Sequence, residues 1–143
     1  MPQIMAATGM PYVATAAESD PADFIRKAAK AQYYAQNHGT AYLKCLSACP
    51  LNWGDQPNPD RKVIAAAGDC CYFPLYEVEQ GRTTLSYDPE QKGKKIPVAH
   101  WLKMMGRTKH LCTDAYSAVR EQLQTEVDRH WLRLKARAEH PEL

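Results

Sequence analysis

The chain has 143 residues, and 45% hydrophobic with 24% charged residues is the ordinary balance of a folded protein, which excludes disorder throughout. Eighteen Lys and Arg against sixteen Asp and Glu leave a net charge of +2, too little for an electrostatic nucleic-acid footprint. No run of about 18 apolar residues exists to span a membrane, and the first twenty residues lack the basic start and apolar block of a secretory signal.

The opening, residues 1–10, is apolar without a clear period. Pro11-Tyr12-Val13-Ala14-Thr15-Ala16 follows, a short apolar run that reads as a buried parallel strand. Asp20 and Pro21 then make a helix start. The carboxylate can accept from first-turn amides, and proline has no N–H to leave unpaired. The helix should run to about Gln36, with Phe24, Ala28, Ala31 and Ala35 as an apolar stripe. Asn37-His38-Gly39 is a stop, with Gly39 free to turn left-handed. Residues 41–47 make a second strand. Strand, helix, strand is a βαβ unit, whose crossover is right-handed. Function in such sheets gathers at the carboxyl ends of the strands, here Ser47-Ala48-Cys49-Pro50.

A loop over residues 51–59 carries Trp53, Gly54 and two prolines. Asp60 caps a further element running from Arg61 to about Cys71, with Val63, Ile64, Ala67 and Cys71 on its apolar side. Residues 73–79 and 83–87 read as a hairpin around Gln80-Gly81, with Pro74 confined to an edge or a strand beginning. Pro97 starts a short helix that Gly106 ends. Arg107, Lys109 and His110 make a basic turn. From Asp114 to about Ala138, Tyr116, Val119, Leu123, Val127, Trp131, Leu134 and Ala138 recur at helical spacing. Such a helix is about 37 Å long, more than a domain of this size needs, and suited to lie across a partner or a further part of the same subunit. Few parallel strands and a first strand without an earlier neighbour fit an α/β domain from which a large amino-terminal part is missing.

The five cysteines, at 45, 49, 70, 71 and 112, are a poor disulfide framework and suggest a reducing, cytoplasmic setting. Cys45-Leu46-Ser47-Ala48-Cys49-Pro50 has the C-x3-C-P spacing that closes a ferredoxin-type run, but the earlier C-x2-C is absent. A cysteine before proline at a strand end is a sensible iron ligand. The alternative is that Cys45 and Cys49 are small buried apolar side chains. Cys70, Cys71 and Cys112 read as structural, and the histidines at 38, 100, 110, 130 and 140 show no metal-binding spacing. Phosphate-binding glycine loops and a G-x-S-x-G elbow are absent from the sequence.

Several stretches together resemble one family. Pro2-Gln3-Ile4 with Gly9-Met10-Pro11-Tyr12-Val13-Ala14-Thr15-Ala16, Leu46-Ser47-Ala48-Cys49-Pro50 with Trp53, and Phe73-Pro74-Leu75-Tyr76-Glu77-Val78 carry the likeness. Pro97-Val98, Trp101-Leu102-Lys103, Gly106-Arg107, His110-Leu111, Leu123-Gln124, Val127-Asp128 and Trp131 extend it to the tail. Over nearly all its length the chain resembles the carboxyl-terminal part of the β subunit of 2-oxoacid:ferredoxin oxidoreductases of the pyruvate synthase type.

The resemblance implies an α/β fold. Residues 1–72 would be the carboxyl-terminal βαβ portion of a thiamine diphosphate-binding-type parallel-sheet domain, 73–112 a hairpin and short helix extension, and 113–143 the long closing helix. It implies thiamine diphosphate-dependent oxidative decarboxylation of a 2-oxoacid to an acyl-CoA, with electrons passing through [4Fe-4S] clusters to ferredoxin. Cys49 matches the last ligand of the cluster nearest the thiamine. The other three ligands, and the segment that holds Mg²⁺ and diphosphate, would lie upstream. Partners would be the α, γ and δ subunits or the amino-terminal half of β, with ferredoxin and coenzyme A, and neither nucleic acid nor membrane. The chain alone would be inactive. A non-catalytic docking module or an inactive truncated product is the alternative. The family often has Pro-Thr-Gly-Trp after the cysteine, whereas this chain has Pro50-Leu51-Asn52-Trp53, which leaves the particular 2-oxoacid open.

Overall fold

In the computed structural model, which describes residues 1–49, 53 and 60–140, the expected βαβ unit is present. Strand β1 (Tyr12–Ala17) leads through helix α2 (Pro21–Asn37) to β2 (Ala41–Leu46), and the strands pair in parallel from Tyr12 opposite Ala41 to Ala17 opposite Leu46. All six β1 residues are buried, as a strand covered on both faces should be. Asp20 caps α2, its carboxylate accepting from the Asp23 amide at 3.1 Å, and Pro21 is the first helical residue. Gly39, at φ +119°, makes the stop.

The opening residues, which show no period, form a helix, α1 (Pro2–Ala7). One turn and a half is too short for periodicity to reveal. Helix α3 (Asp60–Asp69) buries Val63, Ile64 and Ala67 as expected. Cys71 is buried but lies beyond the helix, at φ +60°. The loop expected over residues 51–59 lies, apart from Trp53, outside the described residues, as does the side chain expected to cap at Asp60.

The hairpin is shorter than the alternation suggests, β3 (Tyr76–Glu79) and β4 (Arg82–Leu85). Gln80 at φ +49° and Gly81 at φ +84° form its two-residue turn. Positive φ at both positions is the type I′ geometry that matches the twist of the flanking strands. β3 also pairs antiparallel with β1, so the hairpin joins the parallel pair in one mixed sheet of order β2-β1-β3-β4.

Helix α4 (Val98–Lys103) and two short 3₁₀ turns (Lys109–Cys112 and Asp114–Tyr116) lead to the long helix α5 (Ser117–Glu139). Its expected apolar stripe divides. Val127, Trp131 and Leu134 are buried, whereas Tyr116 and Val119 are exposed. The main core lies on one face of the sheet. There Val13, Ala17, Tyr76 and Val78 meet α3, α4 and α5.

The other face meets α2 and is largely polar. Of the expected α2 stripe, Phe24, Ala28 and Ala31 are half-buried and Ala35 is exposed. The fully buried α2 residues are instead Lys27 and Tyr34. Lys27 pairs with Asp23 at 2.6 Å and donates to the Thr15 carbonyl at 2.8 Å. Glu77 accepts from Tyr12 at 2.8 Å, Arg26 at 3.0 Å and Lys30 at 3.2 Å, while Glu79 accepts from Lys30 and Tyr34. The sequence reading missed this network, because periodicity arguments score Lys and Glu as solvent-facing.

Candidate functional site at the strand ends

The parallel pair ends side by side, and two hydrogen bonds tie its carboxyl ends together. The Glu18 amide donates to the Leu46 carbonyl at 3.1 Å, and the Glu18 carboxylate accepts from the Ala48 amide at 3.1 Å. One residue later the chain turns. The Trp53 amide donates to the Cys49 carbonyl at 2.9 Å, so Cys49 is held on both sides through backbone groups. Its side chain is exposed in this chain, where the alternative expects a buried apolar one.

Cys45 is also exposed. Desolvation and the neighbouring Glu18 carboxylate push its thiol up, away from the thiolate that metals bind. Cys70 and Cys71 lie in the core, where burial raises them to about 11 and about 12. They are inert at neutral pH, as a structural reading requires. Cys112 is half-buried, with its thiol against the Ala99 carbonyl. Among the described residues no three potential ligands from His, Cys, Asp and Glu converge.

Trp53 packs against the main core and leads into an apolar cleft of about 410 Å³. Leu46, Tyr72, Trp101, Met105 and Leu111 line it, and Arg107 of the basic turn stands at its wall. Trp101 is fixed by donating to the Val63 carbonyl at 3.1 Å and by ring contact with Tyr72 at 4.5 Å. A second cleft, of about 500 Å³, opens at the end of β1 between the start of α2 and α3. Ser19, Asp20, Arg61, Asp69, Tyr87 and Lys94 bring mixed charge to it.

Soft-ligand chemistry at the Cys49 turn is what these residues offer. One exposed, backbone-anchored thiol can supply a single ligand to a group whose other ligands come from another polypeptide segment. The cysteine spacing pointed to this position, whereas the apolar cleft beside it left no sequence signal, because its lining comes from four separate stretches.

The arrangement is an α/β one, a βαβ end with a cysteine before proline and a hairpin and long helix attached. No protein-family model matches the chain. Curated relatives do. Pyruvate synthase subunit PorB of Methanocaldococcus jannaschii is 38% identical over 128 residues, covering 90% of this chain and 40% of that protein. Ketoisovalerate oxidoreductase subunit VorB of Pyrococcus horikoshii is 34% identical over 136 residues, covering 95% of this chain and 41% of that protein. PorB of Thermotoga maritima is 36% identical over 134 residues, covering 92% and 39%. The chain is therefore a homologue, over nearly all of its own length, of the PorB and VorB oxidoreductase subunits, and the family resemblance read from its sequence holds. It spans about two-fifths of the length of these relatives.

Proposed function

We propose that this chain serves in the β subunit of a 2-oxoacid:ferredoxin oxidoreductase, as the carboxyl-terminal portion of that subunit. The reaction is thiamine diphosphate-dependent oxidative decarboxylation of a pyruvate-like acid to an acyl-CoA. The observation that carries the reading is similarity to PorB and VorB across 90% or more of the chain. The partners are the other subunits of the complex, with ferredoxin as electron acceptor and coenzyme A as acyl acceptor, and the setting is cytoplasmic. No helix among the described residues is long and apolar enough to cross a membrane.

When bound, thiamine diphosphate with Mg²⁺ supplies the carbanion sink, and [4Fe-4S] clusters carry the electrons. We assign no residue of this chain to the diphosphate. Cys49 is the assigned cluster ligand. It fits in type, exposure and fixed backbone. The isolated chain is inactive in this reading.

The test is anaerobic purification of the native assembly with iron and thiamine diphosphate assayed together. Cys49→Ala should remove one cluster's worth of iron while Cys112→Ala leaves it. Unchanged iron in Cys49→Ala overturns the ligand assignment. The exposed start of the α5 stripe, Tyr116 and Val119, favours a second reading, a docking module without chemistry. It requires a chain that binds larger subunits with no iron or thiamine diphosphate in the particle.

A further inference from the structure

A cleft runs between helix α1 and the second half of α5. Two cavities make it, of about 230 Å³ and about 140 Å³, and Gln3, Leu134 and Arg137 border both. The larger reaches down to β3 and the hairpin, with Ala6, Val78 and Leu134 as apolar lining. The smaller runs along α5 past His130 and Arg133. Gly81 of the hairpin turn lines the larger cavity, and the neighbouring Gln80 amide donates to the Pro11 carbonyl at 2.9 Å. The cleft therefore opens where β1 begins, away from the strand ends that lead to Cys49.

Tyr76 lines the larger cavity and is 2% exposed. Its hydroxyl is buried and has no hydrogen-bond partner among the described residues. Such orphaned groups are costly, and folded proteins keep few of them. Burial pushes the phenol up to about 12, so it is a donor at neutral pH, and the Arg137 charge opposes that shift from within electrostatic reach. His130, Arg133 and Arg137 are exposed and, at steps of three and four, share one helix face. The ion pairs of α5 among the described residues use Asp128, Arg129 and Lys135, and neither Arg133 nor Arg137. No residue lining either cavity carries a carboxylate. Positive charge and an unused donor thus face the cleft with no anion among its walls.

We propose that the cleft between α1 and α5 binds the oxyanion of a small molecule, a carboxylate or a phosphate, with Arg133 and Arg137 clamping the anion and the Tyr76 hydroxyl donating to it. A guanidinium presents paired donors that match the oxygens of either group. The apolar lining suits a short hydrocarbon body, and the volume, below that of drug-sized sites, holds the ligand to a small acid or phosphate ester. This site uses residues of the present chain alone and is independent of the Cys49 assignment and of the reaction proposed above.

Thermal melting and isothermal titration of the natively purified protein, in whatever assembly it occurs, test this with inorganic phosphate and with butyrate as probes. A probe that binds should raise the melting temperature. Arg137→Gln should weaken its binding about tenfold or more, because a charge-assisted pair is lost. Tyr76→Phe should weaken it about fivefold, the loss of one hydrogen bond. Having shed only an orphaned hydroxyl, Tyr76→Phe should melt no lower than the parent when no probe is present. Arg129→Gln, on the same helix outside the cleft, should leave affinity unchanged. Binding of phosphate, of butyrate or of both that responds to these variants supports the site and names the oxyanion it takes. Failure of both probes to bind, or binding that Arg137→Gln and Tyr76→Phe leave unchanged, overturns it. A Tyr76→Phe variant that melts well below the parent without a probe also overturns it, since the hydroxyl would then serve the fold.

Discussion

Lys27 is fully buried in a helix face that pattern alone assigns to small apolar residues. Burial lowers its ammonium, and Asp23 at 2.6 Å opposes that shift by stabilising the charge. Removing one member of such a pair leaves the other uncompensated. Lys27→Met should therefore destabilise the fold by about 3 kcal/mol in urea denaturation. Removing both charges, Lys27→Met with Asp23→Leu, should cost less than the sum of the single changes. An additive result would mean the pair does not interact. The cysteines make a second residue-scale prediction. Iodoacetamide at pH 8 should label Cys45 and Cys49 in the folded chain freed of iron, and reach Cys70 and Cys71 only on unfolding, since these are buried and held near 11 and 12. Labelling of Cys71 at the rate of Cys49 would contradict the packing.

At the scale of elements, the turn between β3 and β4 depends on Gly81. No atom would meet an added Cβ there, so the cost of Gly81→Ala is backbone strain alone at φ +84°. About 1 kcal/mol is expected, read as a lowered denaturation midpoint with an unchanged slope. A neutral substitution would mean that the turn relaxes to another type. The termini of α2 were legible because capping chemistry is local: Asp20, Pro21 and Gly39 act through their immediate neighbours. The buried face of α2 was not. Lys30 and Tyr34 find Glu77 and Glu79 opposite them, some fifty residues later, while Lys27 is matched by Asp23 and the Thr15 carbonyl.

Across the whole molecule, a charged staple ties α5 to the loop before α4. Glu90 pairs with Lys135 and Lys95, each at 2.8 Å, and Lys95 reaches Asp128 at 3.2 Å. Gln124 accepts from the Val98 amide at 2.8 Å. Hydrogen bonds from Lys135 and Lys95 hold the Glu90 carboxyl down at about 2, from an ordinary 4.5. A depressed folded value stabilises above the unfolded one, so this contribution is full above about pH 4.5 and is lost as pH falls toward 2. Glu77 adds with the same sign. Burial pushes its carboxyl up, but hydrogen bonds from Tyr12, Arg26 and Lys30 outweigh that and hold it low. Denaturation midpoints should fall steeply between pH 4.5 and 2, and Glu90→Gln should flatten part of that slope. An identical slope in the variant would remove Glu90 from the account. Beneath the staple, Trp131 fills the core at 1% exposure, and Trp131→Ala should cost about 4 kcal/mol.

The sequence by itself determined the βαβ unit, the caps of α2, the hairpin turn, the long helix and the chemical interest of Cys49. Each of these rests on neighbouring residues or on a short period, and those interactions are written locally. The tertiary structure decided that the hairpin joins β1 antiparallel, that α2 buries charge, and that only the second half of the α5 stripe is covered. It also decided that Cys49 is exposed beside an apolar cleft. These outcomes depend on which distant segments meet, and the free energy of burying a side chain is set by the partner it finds there.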